Sequence, residues 1–327
     1  MRPRARAVAA EGGCWPAAIL GPLALGALMA LLGARAPGPT RVGHERPAGH
    51  PGPSGWKPLR APLGWAGGKR RLVKEILARM PPHRIYVEPF VGAGHVYWAK
   101  PPAELEVIND IDRNLMRFYR FLKESDRFAC DMTPDMERWY WLRERFRRGE
   151  ELGPCDWFYL VKYAYGNKPN SPTPNPARFE RCSAQGEPSL CMVTGIVRDW
   201  PRYKAKLART VILNTDWEEV VRRFDGPDTW FYIDPPYTEW QEDPSKCAYV
   251  SCAVAPERVA QVLVGLEGKW LVTYDDHPRV WRAFSQLPGV VIERVGTLYE
   301  LQKSNTGRPK PVYNLIIRNY RLPGERA

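Results

Sequence analysis

From residue 62 onward, short apolar runs alternate with stretches whose apolar positions recur every three or four residues. Leu72, Val73, Ile76, Leu77 and Met80 fall on one face of a helix that follows "LGWAGGK". "RIYVEPFVGAG" predicts a strand over 85–88, then a glycine-rich turn opening a second helix. "ELEVIND" predicts a strand over 104–110, and "NLMRFYRFLKE" a helix behind it. After a break at 125–209 the alternation resumes with "TVILNTDW" (210–217), the strand "TWFYIDPPY" (229–237), a helix near 256–267 and the strand "KWLVTYDD" (269–276). The chain ends as a hairpin, "VVIERVGTLYEL" and "PVYNLIIRNY" around the turn "SNTGRPK". Strand followed by helix, repeated, predicts an α/β fold with a parallel sheet covered by helices.

The break itself is informative. Residues 125–209 are rich in Trp, Tyr and Arg ("ERWYWLRERFRR", "DWFYLVKYAYGNK") and too long for a connection, so they read as an inserted, mainly helical lobe. The expected organisation is an extension over 1–60, a body formed by 61–124 and 210–322, and the inserted lobe between them.

Length and charge refine this picture modestly. At 327 residues with 44% hydrophobic content, the chain supports a large core and excludes wholesale disorder. The formal charge is +12. Residues 1–60 hold eight basic against two acidic residues, and the rest holds 40 against 34, so the body is only mildly basic. That suits a groove that grips phosphates without demanding one. The inserted stretch holds 15 Arg/Lys against 11 Asp/Glu, interleaved with aromatics; a solvated helical face accounts for "RERFRR" as readily as a nucleic-acid contact does.

The first 60 residues are unlike the rest. "WPAAILGPLALGALMALLGA" (15–34) carries no charge and has the length of a membrane span and the flanks of a signal peptide. Its prolines and glycines weaken either helix. An upstream extension, disordered or not native to the mature protein, is the favoured expectation. The seven cysteines (14, 130, 155, 182, 191, 247, 252) contain no CxxC pair and match no common zinc spacing. Reduced thiols and no metal are expected.

In a doubly wound sheet, ligands bind beyond the carboxyl ends of the strands. "WAGGK" (65–69), "EPFVGAG" (88–94), Asp110, "NTDW" (214–217) and "DPPY" (234–237) each fall at a predicted strand end or helix start. Taken singly, each has an ordinary explanation: a packing turn, a helix cap, a strand stopped by prolines. "WAGGKRR" lacks the GxxxxGK[ST] spacing of a phosphate loop. A glycine turn after one strand and an acid after the next hold an adenosine, which suits a nicotinamide cofactor as well as others. "DPPY" decides between them. Asp234 and the carbonyl of Pro235 can each accept one N–H of an aromatic amine, Pro236 keeps the backbone extended, and Tyr237 offers a face for a stacked base. Pro154-Cys155 resembles the nucleophile of cytosine-C5 methyltransferases but lies at no glycine-rich strand end; Cys155 reads as a helix-start residue.

As an ordered set, "WAGGK", "VEPFVGAG", "INDID", "NTDW" and "DPPY" resemble the Dam-like adenine-specific (N6) DNA methyltransferases with the alpha order of motifs, over about residues 60–320. The resemblance implies a Rossmann-like sheet dependent on S-adenosylmethionine, with a target-recognition lobe inserted before the catalytic motif. It assigns the cofactor site to Trp65, Lys69, Glu88, Phe90, Gly92, Gly94, Asp110, Asp216, Trp217 and Asp234. Within that set Glu88 lies near the methionine amino group, Asp110 holds the ribose, and Asp216 and Trp217 contact the adenine. It places methylation at Asp234, Pro235, Pro236 and Tyr237, and the wall of the target-base pocket at "LVTYDD" with His277 and Pro278. It further implies no metal, double-stranded DNA as partner, a place for a cognate restriction endonuclease, a cytoplasmic location, and no membrane partner for the body. Cytosine-N4 or RNA amino-methyltransferases and a non-catalytic DNA-binding relative stay open beside it. One departure stands out: where many family members carry Asn-Arg and Phe-Asn-Gly in the lobe, this chain has "KYAYGNK" (162–168), so recognition contacts do not carry over.

Overall fold

The computed structural model describes residues 56–238, 254–303 and 309–325. The N-terminal extension up to residue 55, the turn at 304–308, and Cys14, Cys247 and Cys252 lie outside the described residues. Among those described, no helix is long and apolar enough to cross a membrane.

Seven strands form one sheet: β1 (Ile85–Glu88), β2 (Leu105–Asn109), β3 (Thr210–Leu213), β4 (Thr229–Ile233), β5 (Lys269–Asp275), β6 (Val291–Lys303) and β7 (Pro309–Arg318). Their spatial order is β3-β2-β1-β4-β5-β7-β6. The first five run parallel, and β7 enters antiparallel between β5 and β6. β2 and β4 are buried along their whole length, which is why "LEVIN" and "TWFYI" read as near-continuous runs with no polar face. The chain winds outward from β1 to β3, then returns to place β4 on the other side of β1. That reversal leaves a crevice at the carboxyl ends of β1 and β4, where such folds bind ligands.

The helices follow the predicted periodicity: α1 (Val73–Ala78), α2 (His95–Ala99) and α3 (Arg113–Glu124) precede the insertion. Asp112 caps α3, accepting from the N–H groups of Asn114 and Leu115. The stretch between α3 and β3 contains α4 (Met136–Arg147), α5 (Pro154–Tyr163), α6 (Pro176–Ser183) and α7 (Thr194–Ala208). α5 buries most of its surface and packs, with α7, on α3, where the Phe118 and Phe158 rings stack at 4.5 Å. The inserted helices therefore share one continuous apolar core with the helices that cover the sheet. Past β3 come α8 (Trp217–Arg223), α9 (Pro256–Leu263) and α10 (Pro278–Phe284).

One expectation fails here. The described cysteines are not free thiols: Cys130 pairs with Cys155 and Cys182 with Cys191, with Cα separations of 5.1 and 5.4 Å. Separations of 25 and 9 residues carry no pairing signal in the sequence; the folding of the insertion on itself creates both contacts. Cys155 does lie in the first turn of α5, as a helix-start residue.

Beneath the sheet, Glu106 on β2 sits among two buried lysines. Lys100 Nζ lies 2.6 Å from its carboxylate and Lys206 Nζ, on α7, 3.4 Å away. Burial lowers Lys206 to about 7, with Lys100 beside it acting in the same direction and Glu106 opposing. This cluster ties α7 to the sheet. Glu106→Gln removes the anion and strands both amines, so a loss of about 3 kcal/mol is expected in denaturant unfolding at neutral pH.

Candidate active site

The crevice is lined by residues from each of the five ordered motifs, "WAGGK", "VEPFVGAG", "INDID", "NTDW" and "DPPY", whereas none of "LVTYDD", His277 or Pro278 lines it. Its floor is the loop after β1. Gly92 and Gly94 adopt positive φ (+47° and +68°), a region other residues enter at a cost. Neither glycine has room for a side chain. A Cβ on Gly92 would lie 2.9 Å from Trp65 Cδ1, and one on Gly94 2.9 Å from the Tyr119 hydroxyl. The Tyr119 hydroxyl, reaching from α3, donates to the Gly92 carbonyl at 2.9 Å.

Asn109, at the end of β2, holds neighbouring loops together. Its side chain donates to the Pro89 carbonyl (3.0 Å) and the Thr215 carbonyl (3.1 Å), and accepts from the Thr215 N–H. Asp110, next in the chain, faces the crevice. Its oxygens accept from the Gly92 N–H and the Asp112 N–H, both at 3.0 Å, leaving lone pairs for a ligand. Burial raises its carboxyl to about 7, against those backbone donors. Capping of α3 falls to Asp112 instead, which frees Asp110. Asp216 lines the crevice too, but its carboxylate caps α8 by accepting from the Glu218 N–H at 2.8 Å. The Trp217 and Phe90 rings, 5.5 Å apart and tilted by 34°, pack against each other and form an aromatic stretch of the crevice lining. Glu88, fully buried, accepts from the Tyr86 hydroxyl at 2.6 Å, and desolvation raises it well above the ordinary carboxylate range.

Asp234 stands directly after β4 at the opposite wall. Lys69 Nζ lies 2.8 Å from one carboxylate oxygen and 2.7 Å from the other, while the Thr273 hydroxyl on β5 donates at 2.7 Å. Burial raises the Asp234 carboxyl; the Lys69 ammonium opposes that shift. Lys69 also donates to the Gly67 carbonyl and lies 4.4 Å above the Tyr237 ring. Tyr237 is oriented by its hydroxyl bond to Asn314 at 2.9 Å, and Pro236 lines the crevice while Pro235 is buried behind it. Residue 238 fastens this turn to the end of β5, where Thr238 bonds both oxygens of Asp275.

The sequence-predicted residues Trp65, Lys69, Glu88, Phe90, Gly92, Gly94, Asp110, Asp216, Trp217 and Asp234 thus surround one crevice. With them come residues given no role beforehand: Asn109 within "INDID", His95 at the start of α2, Thr273 within "LVTYDD", and Asn314 from β7. The sequence carried no sign of Asn314.

With this geometry in place, likeness to known proteins becomes informative. Residues 65–161 match the family model of the D12 class N6 adenine-specific DNA methyltransferases. The resemblance read from the motifs holds. Curated proteins named DNA adenine methylase align with this chain: 46% identity over 120 residues in Vibrio cholerae, covering 34% of this chain and 42% of the relative. In Serratia marcescens the identity is 33% over 103 residues (29% and 38%), and in Escherichia coli K12 31% over 119 residues (33% and 42%). The matched stretch thus spans less than half the length of those relatives.

Gly92→Ala combines a disfavoured φ with a clash against Trp65. It is expected to cost about 1–2 kcal/mol of stability, read by thermal or denaturant unfolding.

Proposed function

We propose that this chain transfers a methyl group from S-adenosylmethionine to the N6 amino group of adenine in double-stranded DNA. The carrying observation is that Asp234 and Pro236 of the turn after β4 line the same crevice as the glycine loop, with the Asp234 carboxylate held between Lys69 and Thr273. The crevice suits the cofactor at each point. The Phe90 and Trp217 rings offer an aromatic surface to an adenine ring, Asp110 retains acceptor capacity for ribose hydroxyls, and Glu88 offers a buried acid to an ammonium. Trp65 closes over Gly92, where a side chain would fill the space. When bound, the cofactor supplies an electrophilic methyl on a sulfonium.

The protein's part is positional and electrostatic. Asp234 accepts one N–H of the target amine and the Pro235 carbonyl the other, which draws the nitrogen towards tetrahedral geometry and localises its lone pair. Lys69 keeps the Asp234 carboxylate ionised despite its burial, and Thr273 fixes its plane. Tyr237, held by Asn314 and backed by the Lys69 ammonium, provides a stacking face for a base extruded from the duplex. The base has to leave the stack, since its amine cannot otherwise reach a crevice at the strand ends. No covalent enzyme intermediate is required.

We assign DNA contact to the inserted helices 136–208. Trp141 is 56% exposed on α4 with the Arg145 guanidinium 4.6 Å above its ring, and Tyr165 is 65% exposed on the turn after α5. Exposed aromatics beside guanidinium groups suit a phosphate-lined groove with unstacked bases. Substrate and donor both place the activity in the cytoplasm.

Incubation of the full chain with tritiated S-adenosylmethionine and unmodified DNA, then digestion to nucleosides, tests the proposal. Label in N6-methyl-2′-deoxyadenosine is expected; label in N4-methyl-2′-deoxycytidine, or none, overturns it. Asp234→Ala should reduce transfer by about a thousandfold or more, and because it leaves the buried Lys69 ammonium unpaired it should also lower the unfolding midpoint. Lys69→Met removes the group that opposes burial, so Asp234 ionises at higher pH. The acid limb of the rate–pH profile should therefore move upward, and an unmoved limb would discard the pairing as the source of the ionised state.

A further inference from the structure

Resting on that cofactor reading, we infer that His95 binds the carboxylate of the methionine moiety. His95 follows the second glycine of the loop and lines the crevice. Gly68 lies so close that a Cβ there would stand 2.7 Å from Nε2 and 2.9 Å from Cδ2 of the imidazole. The "WAGGK" turn therefore closes onto this ring, and the ring takes the space a side chain at 68 would need. Among the described residues no group forms a hydrogen bond with its ring nitrogens. A half-buried imidazole at a ligand crevice, without a hydrogen-bond partner among the described residues, has capacity that a bound ligand can satisfy.

The charges around the crevice say which part of the ligand reaches it. The acids Asp110 and Asp216 belong to the end that takes ribose and adenine. Glu88 offers its carboxyl to an ammonium. Around His95 the charges are of the other sign: Lys69 and Arg70 both act on it, and with burial they bring the ring down to about 4, so it stands neutral in the absence of an anion. The Lys69 ammonium is already committed to Asp234 and the Gly67 carbonyl. His95, lining the crevice in that positive field, is then an uncommitted donor for an anion. A zwitterionic ligand end fits this division, its ammonium at Glu88 and its carboxylate at His95.

Titration calorimetry on the full chain separates this role from a merely structural one. S-adenosylhomocysteine carries the amino-acid end; 5′-methylthioadenosine keeps the adenosine and sulfur but lacks the amino and carboxyl groups. His95→Ala is expected to weaken S-adenosylhomocysteine by about tenfold or more and to leave 5′-methylthioadenosine within about twofold of the parent. His95→Gln, which retains a donor, should recover part of the loss, and it provides the measurement if the alanine variant does not fold. Equal weakening of both ligands would show that the ring only props the turn and would overturn the inference, as would unchanged binding of both. A parent protein that binds neither ligand would overturn the cofactor reading as well, so the two failures are distinguishable.

Discussion

A carboxylate taken out of water must be compensated where it stands, and Asp234 is compensated by a lysine 165 residues away. Burial pushes its carboxyl towards the neutral form; the Lys69 ammonium and the Thr273 hydroxyl oppose that shift. This pairing joins the first motif of the body to the last, and fixes the turn after β4 against the turn before α1. An unpaired ammonium or carboxylate here would be costly, so the contact favours the crevice with both walls in place. It also sets the polarity of the crevice, with a buried carboxylate from one motif and a glycine cradle from another.

The second constraint is steric. Two glycines in left-handed conformation bring the loop after β1 beneath Trp65, and the Trp65 ring in turn lies 6.0 Å from Trp157 on α5. The inserted helices thus support the cofactor loop from behind as well as offering an aromatic and cationic surface. Their continuity with the main core makes the insertion an extension of the sheet's packing. Two disulfides within the insertion, Cys130–Cys155 and Cys182–Cys191, close its connections further.

Asp216 illustrates how one residue satisfies two readings. It lines the crevice, as the family resemblance implies, and caps α8, as any acid ahead of a helix does. Asp110 differs because Asp112, two residues on, takes the capping task. The near-identical sequence signals "INDID" and "NTDW" therefore lead to different duties, decided by which acid reaches the free N–H groups first.

Local patterning determined the strands and helices here. Buried parallel strands must be apolar on both faces, so "LEVIN" and "TWFYI" were legible, and so was the glycine turn, whose backbone few other residues adopt. The ordered motifs at strand ends made most of the crevice readable, because in this topology strand ends converge at the reversal of winding. Pairings across long separations were settled by the tertiary structure alone: Lys69 with Asp234, Tyr237 with Asn314, both disulfides, and His95 against Gly68. Sequence patterns record what a residue needs from its neighbours within a few positions. Which distant group answers a buried charge, ring or thiol depends on how the elements pack, and no local pattern encodes that.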